Sequence, residues 1–291
     1  MTSKQPQKSL SPGLHIVATP IGNAADITLR ALETFRNADV IACEDTRVTG
    51  KLLHLHGIKA DLTAYHEHNA ARVRPVLIKR LKNGEIVALA SDAGTPLIND
   101  PGYKLVEACQ AEGIPVTAEP GASAVLAALV VSGLPTDRFL FAGFLPAKQA
   151  ARTRTLEILR AVPATLVLME SPRRLAATLA DMARVLGPRA AAVARELTKL
   201  HEEIRRGTLD ALAAHYAGAG APKGEAMIVA APPREEAEPD ADDLDALIRD
   251  ALRRTTVRDA VREIVEATGA ARRTVYARAL EIEKTVRESE S

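Results

Sequence analysis

Cysteine is scarce in this chain: two residues among 291, Cys43 and Cys109, each in an apolar setting. That scarcity sets aside a disulfide framework or a thiolate metal site in favour of two small, reduced core residues. Charge of one sign is not in excess either. The 38 Lys and Arg against 37 Asp and Glu leave a formal net charge of +1, so contact with a nucleic acid has to come from a local patch or from the shape of a ligand. No uninterrupted apolar run is long enough to cross a bilayer. The first dozen residues are polar, contain Pro6 and Pro12, and lack an apolar signal core, so a cytoplasmic protein is expected. Neither a dinucleotide-binding glycine fingerprint nor a P-loop follows the first expected strand, which argues against NAD enzymes and ATPases.

What is present is an alternation. The composition, 47% hydrophobic and 26% charged, suits a globular chain of about two domains. Short apolar runs at residues 15–18, 40–43 and 86–90 have the length of buried strands. Five polar clusters lie in the first half, most of them directly after such a run: Pro20-Ile21-Gly22-Asn23, Glu44-Asp45-Thr46-Arg47, Tyr65-His66-Glu67-His68-Asn69, Ser91-Asp92-Ala93-Gly94-Thr95-Pro96 and Pro120-Gly121-Ala122-Ser123. Helical stretches separate them. One opens at residues 26–32 with Asp26 as its N-cap, one covers 73–81 and one 104–109. Another, at 123–132, is so rich in Ala, Val and Leu that it must be buried on most sides. The βα alternation predicts a parallel sheet with helices on its faces. Ligands bind beyond the carboxyl ends of such strands, so one edge of one sheet gathers all five clusters, an arrangement that points to an enzyme.

The expected organisation is a flexible lead over residues 1–12 and a parallel α/β domain over 13–135. A mixed α/β domain follows over 136–231, with strand patterns at 138–144, 165–169, 191–194, 203–207 and 225–231. Residues 232–243 read as an acidic, proline-containing linker, and 244–291 as a helical module. In that module helices are expected at 244–253, at 257–267 with Thr255 or Thr256 as cap, and at 272–286. The intervening Gly269 and the nearby Arg272 and Arg273 give it the pattern of a helix-turn-helix; docking on the body or on a second subunit is the alternative.

Several clusters carry chemistry. Asp92, beside so buried a strand, calls for a ligand, and its carboxylate suits a ribose diol. Gly22 lets the backbone approach a ligand closely. Ser123 fits both a helix cap and a ligand contact. Glu44 and Asp45 with Arg47 form either an internal ion pair or a group that orients a substrate and accepts a proton. On a strand, His66 and His68 would share a face. A zinc site wants three or four ligands, so polar contacts to a large substrate are the better reading and no metal is expected. Arg173, Lys199 and Lys223, at the edges of strand patterns, suit phosphates, with glutamate partners holding them in place.

Together these residues resemble one family. Val17-Ala18-Thr19-Pro20-Ile21-Gly22-Asn23, the Glu44, Tyr65 and Ser91 clusters, Gly133-Leu134-Pro135-Thr136-Asp137-Arg138-Phe139, Arg195-Glu196-Leu197-Thr198-Lys199 and Pro222-Lys223-Gly224-Glu225 follow the order of the ribosomal RNA small subunit methyltransferase I family. The resemblance covers about residues 13–231. It implies an α/β fold class: two α/β domains of the tetrapyrrole-methylase type with a small C-terminal helical, helix-turn-helix-like module. It also implies S-adenosylmethionine in the cleft between the domains, a homodimer without a membrane partner, and 2'-O-methylation of a cytidine ribose in the decoding region of 16S rRNA, within the small ribosomal subunit. Glu44, Asp45, His66, Glu170 and Lys199 then become candidates for orienting or deprotonating the ribose hydroxyl. Pro20, Gly22, Asp92, Ala93, Gly94, Thr95, Ser123, Ala124 and Met169 become candidates for holding the donor. Arg47, His68, Asn69, Arg173, Arg195 and Lys223 are candidates for holding RNA. In one place the chain departs from the family pattern, which often has tyrosine where Met169 stands and histidine where Arg173 stands. Arg173 keeps the positive charge but does not titrate near neutrality. Two alternatives stand beside this reading: a same-fold methyltransferase acting on a tetrapyrrole, and a metal-dependent phosphoesterase built around Glu44, Asp45, His66 and His68.

Overall fold

The computed structural model describes residues 10–100, 102–233, 241–268, 270 and 272–289. The expected lead falls outside the described residues at 1–9, the linker at 234–240, and the turn glycine at Gly269. Residues 1–232 form one compact unit and 233–291 another.

The first unit contains two sheets. Strands β1 (Gly13–Val17), β2 (Val40–Cys43), β3 (Leu62–Ala64), β4 (Ile86–Ala90) and β5 (Val116–Glu119) are all parallel, in the order β3-β2-β4-β1-β5. β1 and β2 are buried along their whole length. Helices cover both faces, and that is why these strands appear in the sequence as continuous apolar runs. Alternate residues serve opposite faces. Leu14, Val40 and Leu89 pack with Tyr65, Leu77 and Leu105 on one side; Val17, Ile41 and Ala88 pack with Phe35 and Leu53 on the other.

Helices α1 (Leu29–Asn37), α2 (Thr46–Leu55), α3 (Ala70–Lys82) and α4 (Tyr103–Ala111) alternate with these strands. The cap of α1 corrects the sequence expectation. Thr28, not Asp26, accepts the N–H of Ala31 through its hydroxyl, at 3.0 Å. Asp26 ends a short 3-10 turn that begins at Ala24, which delays the helix by two residues.

Helix α5 (Ala124–Ser132) leads from the first sheet to the second. Ser123 caps it, accepting the N–H of Leu126 at 3.5 Å. The expectation of burial on most sides holds except along one stripe. Val125, Ala128 and Leu129 are buried against the second sheet, whereas Leu126 is 51% and Val130 70% exposed. Only one face of α5 lies on a sheet, so an all-apolar sequence leaves a bare apolar stripe.

The second sheet contains β6 (Phe139–Phe144), β7 (Thr165–Glu170), β8 (Ala190–Arg195), β9 (Glu203–Thr208) and β10 (Ala226–Ala230), in the order β6-β7-β10-β8-β9. β6 and β7 are parallel; the remaining pairs are antiparallel. α6 (Gln149–Leu159), α7 (Leu175–Leu186) and α8 (Leu209–Ala219) contribute to the core on one face. Leu179 is fully buried in that core with Leu166, Leu175 and Ile228. Leu179→Ala is expected to cost about 2–5 kcal/mol through lost transfer energy and a residual cavity, read as a lower urea midpoint with an unchanged slope.

The second unit is a three-helix cluster of α9 (Ala241–Leu252), α10 (Val257–Thr268) and α11 (Arg272–Ser289). Ile248, Val261, Ile264 and Val275 form its centre. Of the two threonines expected to cap α10, Thr256 does so, accepting the N–H of Asp259 at 3.3 Å. The buried Asp245 ties α9 to α11, because Arg278 reaches both of its oxygens at 2.6 and 2.7 Å. Among the described residues no helix is long and apolar enough to cross a membrane.

Candidate active site

At the carboxyl edge of the first sheet, four loops are stitched together. Thr19 and Gly94 exchange backbone hydrogen bonds of 2.9 and 3.1 Å, joining the loops after β1 and β4. The Thr19 hydroxyl also donates to the carbonyl of Ser91 at 3.1 Å. The N–H of Asp45, after β2, donates to Asp92 Oδ1 at 3.0 Å. The Thr95 hydroxyl donates to the carbonyl of Ala122, after β5, at 3.2 Å. Gly94 has φ +85° and faces Ile21, where a side chain would be both strained and crowded. Nearby, Leu97 and Asn99 hold φ of 73° and 67°, and strain of this kind gathers at functional sites.

Two cavities open beside this edge and share a wall of Ile21, Ala93 and Glu225. The first, of about 260 Å³, is largely apolar: Ala124, Phe144, Met169, Ala194, Ala226 and Met227 line it, with Glu170, Glu196 and Glu225. The second, of about 300 Å³, is lined by Pro20, Gly22, Thr49, Ser91, Asp92 and Lys199. The expected donor set is thus distributed. Ala93, Ala124 and Met169 line the first cavity; Pro20, Gly22, Asp92 and again Ala93 line the second. Gly94, Thr95 and Ser123 line neither and instead hold the loops and α5 in place.

The second sheet sends two loops to this wall. Lys199 Nζ lies 2.9 Å from Glu196 Oε1 and 3.1 Å from Glu225 Oε2. The N–H of Glu225 also donates to Glu196 Oε1, at 3.0 Å. Glu196 and Thr198 are held at φ 48° and 65°, and the Thr198 hydroxyl accepts the N–H of Asn23 at 3.1 Å. Two glycines permit this approach. A Cβ on Gly22 would lie 2.5 Å from Lys199 Cγ, and one on Gly224 would overlap the Glu196 carboxylate.

The candidate proton acceptors separate by environment. Burial works to lower the Lys199 pKa, but its hydrogen bonds to Glu196 and Glu225 prevail and raise it, so this side chain is an ammonium and no base. Asp45 caps α2 by accepting the Arg47 N–H at 2.8 Å and pairs with the Arg47 guanidinium at 2.6 Å. Those Arg47 contacts pull its pKa down to about 2. Buried Glu170 accepts the N–H of Ser171 at 2.7 Å and the hydroxyl of Thr178 at 2.6 Å, and pairs with Arg174 at 3.2 Å. It braces the turn after β7. Glu44 is different. Burial raises its pKa, the neighbouring Asp92 and Asp100 raise it further, and His66 partly opposes them.

Among the substrate candidates, Arg195 is committed to Glu203 at 2.6 Å and to the carbonyl of Lys223 at 2.9 Å. Asn69 closes its own turn, accepting the N–H of His66 and donating to the carbonyl of Ala64, both at 2.9 Å. The side chains of Arg47, His68, Arg173 and Lys223 are exposed and line neither cavity. The two histidines do not share a strand face, because β3 ends at Ala64; their rings lie 6.0 Å apart in a turn. Among the described residues no group of three or more His, Cys, Asp or Glu side chains is placed to hold a metal ion.

Glu196 and Glu225 were absent from the expected site, although both stand inside charged motifs at strand edges. Their sequence signal was an acid beside a lysine or arginine, which also fits an ordinary surface ion pair.

Comparison with known proteins agrees with this architecture. Residues 13–213 match the family described as tetrapyrrole (corrin/porphyrin) methylases, and residues 238–283 match the RsmI C-terminal HTH domain. The chain is 53% identical to ribosomal RNA small subunit methyltransferase I of Mesorhizobium japonicum, over 96% of this chain and 95% of that protein. It is 51% identical to the protein of the same name from Erythrobacter litoralis, over 94% and 96%. A solved uroporphyrin-III C-methyl transferase from Thermus thermophilus, complexed with S-adenyl homocysteine, shares the fold with a TM-score of 0.52. Its identity is 20%, over 75% of this chain and 96% of that one.

Proposed function

The chain belongs to the ribosomal RNA small subunit methyltransferase I family, within the tetrapyrrole methylases, and on that footing we propose that it methylates the 2'-oxygen of a cytidine in the decoding region of 16S rRNA, using S-adenosylmethionine. The observation that carries this reading is the shared wall: an apolar cavity with acidic residues adjoins a polar cavity with a cation, through Ile21, Ala93 and Glu225.

The residues of the first cavity fit a sulfonium donor. Ala124, Ala194 and Ala226 leave room for a flat base beside Met169 and Met227, and Glu196 and Glu225 offer negative charge to a cationic group. When bound, the donor supplies an already electrophilic methyl carbon. The protein must then align the acceptor hydroxyl and remove its proton. Alignment contributes about 7–11 kcal/mol in favourable cases, and the stitched loops around Gly94 and Asp92 provide the rigidity for it.

In this reading Asp92 moves from the donor to the acceptor side, since it lines the second cavity. Glu44, which lines neither cavity but neighbours the Asp92 that lines the second, is held less acidic than an ordinary glutamate and takes the hydroxyl proton; a carboxylate shifted toward neutrality is suited to that task. Lys199 holds phosphate. The exposed Arg173 and Lys223 supply further positive charge for the rRNA backbone, and the helical unit docks on the small subunit. The bare stripe of Leu126 and Val130 on α5 supports a homodimer, and we place the protein in the cytoplasm.

The test is incubation with labelled donor and undermethylated small subunits, followed by mapping of the modified nucleotide. Label on a cytidine 2'-oxygen in the decoding region is expected. Label on a base, or none on RNA, would refute the reading.

A further inference from the structure

We propose that Lys199 is an exchangeable counter-ion that couples donor binding to RNA binding: a donor cation in the first cavity takes Glu225 from Lys199, and the released ammonium turns to an RNA phosphate in the second. This rests on the function proposed above and adds a linkage between its two ligands.

The charge count of the Lys199 cluster, which meets the shared wall at Glu225, motivates it. Two carboxylates, Glu196 and Glu225, hold one ammonium, Lys199, which leaves one negative charge. A sulfonium donor carrying an amino and a carboxylate group has one net positive charge, so the cluster and the donor match.

The two ion pairs are unequal. Glu196 is mostly buried, and it is fixed by the Glu225 N–H as well as by Lys199. The Glu225 side chain is 76% exposed and, among the described residues, meets only the Lys199 ammonium, at 3.1 Å. An exposed pair of this kind contributes little, so Glu225 is the partner that can be withdrawn. Position completes the argument, because Glu225 lines both cavities and Lys199 lines the second. With Gly22 lacking a side chain, the lysine stem lies directly over the loop that forms that second cavity.

Coupling between two sites is reciprocal and amounts to about 5–150-fold in typical cases. The experiment measures binding of fluorescent, undermethylated small subunits to the full chain in three states: alone, with sinefungin, and with S-adenosylhomocysteine. Sinefungin carries a positive amine near the sulfonium position; S-adenosylhomocysteine is neutral there. In the unmodified protein sinefungin is expected to tighten subunit binding about tenfold and to steepen its salt dependence by about one phosphate contact. S-adenosylhomocysteine should do much less.

Two variants give opposite signatures. Glu225→Gln should bind subunits more tightly than the unmodified protein when no donor analogue is present, and should not respond to sinefungin. Lys199→Met should bind more weakly and also not respond. A plain structural ion pair would weaken both variants alike and would leave the salt slope unmoved. Sinefungin-driven tightening preserved in Lys199→Met, or equal effects of the two analogues on the unmodified protein, overturns the coupling alone. Failure to bind subunits in every state overturns the proposed function with it.

Discussion

Glu44→Gln is expected to lower kcat by about 10²–10⁴-fold while the donor dissociation constant, measured by calorimetry, stays unchanged. The amide keeps the size of the side chain and loses only the ability to accept a proton as a carboxylate. The pH profile carries the same information. Because burial, Asp92 and Asp100 hold the Glu44 pKa above the ordinary glutamate value, activity should rise with pH through that elevated pKa, and the variant should lack that rise.

Stability should move the other way. A raised pKa in the folded state means that the fold favours the protonated acid. That contribution is fully present below the unfolded pKa and is lost as pH rises through the folded one. Once ionised, Glu44 therefore opposes folding, and removing its charge should raise Tm while lowering turnover. Unchanged kcat in the variant would move the proton acceptor elsewhere, with Asp92 next in line because it lines the second cavity. The raised pKa of Asp100, due to burial and to Asp92 and opposed by a hydrogen bond from Ser91, has the same sign. Acidifying the medium should quiet both groups.

Gly224→Ala should produce the second large effect. Gly224 has φ +88°, and a Cβ there would overlap the Glu196 carboxylate along with its Cγ and Cδ. The whole Glu196 side chain would have to leave, and with it the hydrogen bond from the Glu225 N–H and the anchor of Lys199. The backbone strain alone is worth about 1–3 kcal/mol. For a chain of this size each kcal/mol lowers Tm by about 2–4 °C. Donor affinity should also fall about tenfold or more, which corresponds to about 1.4 kcal/mol. Glu196→Gln separates the two effects: it should share the loss of donor affinity and keep most of the Tm. If Gly224→Ala loses stability but binds donor normally, Glu196 has no part in the donor site.

Much of the candidate site was legible because its residues are local signals at the ends of strands. A short apolar run followed by a polar cluster identifies a strand and its carboxyl-end loop, and parallel pairing brings such loops to one edge. Residues 40–43 and 86–90 became β2 and β4 without a shift. The apolar composition of α5 could not reveal its bare side, since that depends on what covers it. Asp26 was the expected cap of α1, and only the turn beginning at Ala24 moves the cap to Thr28. His66 and His68 suggested a shared face only while β3 was imagined longer than Leu62–Ala64.

The amino-acid order alone determined the α/β class, the loops that meet at the carboxyl edge of the first sheet and the family, because burial period and loop chemistry are written within a few neighbouring residues. It could not rank Glu44, Asp45, His66, Glu170 and Lys199 as proton acceptors. Each stands beside a strand with charged or polar neighbours, but their ionisation depends on partners far along the chain. Asp92 meets the loop after β2 from 47 residues away, and Thr198 meets Asn23 from 175. Folding creates those electrostatic neighbourhoods. It leaves one carboxylate less acidic, commits two to capping and bracing, and keeps the lysine charged.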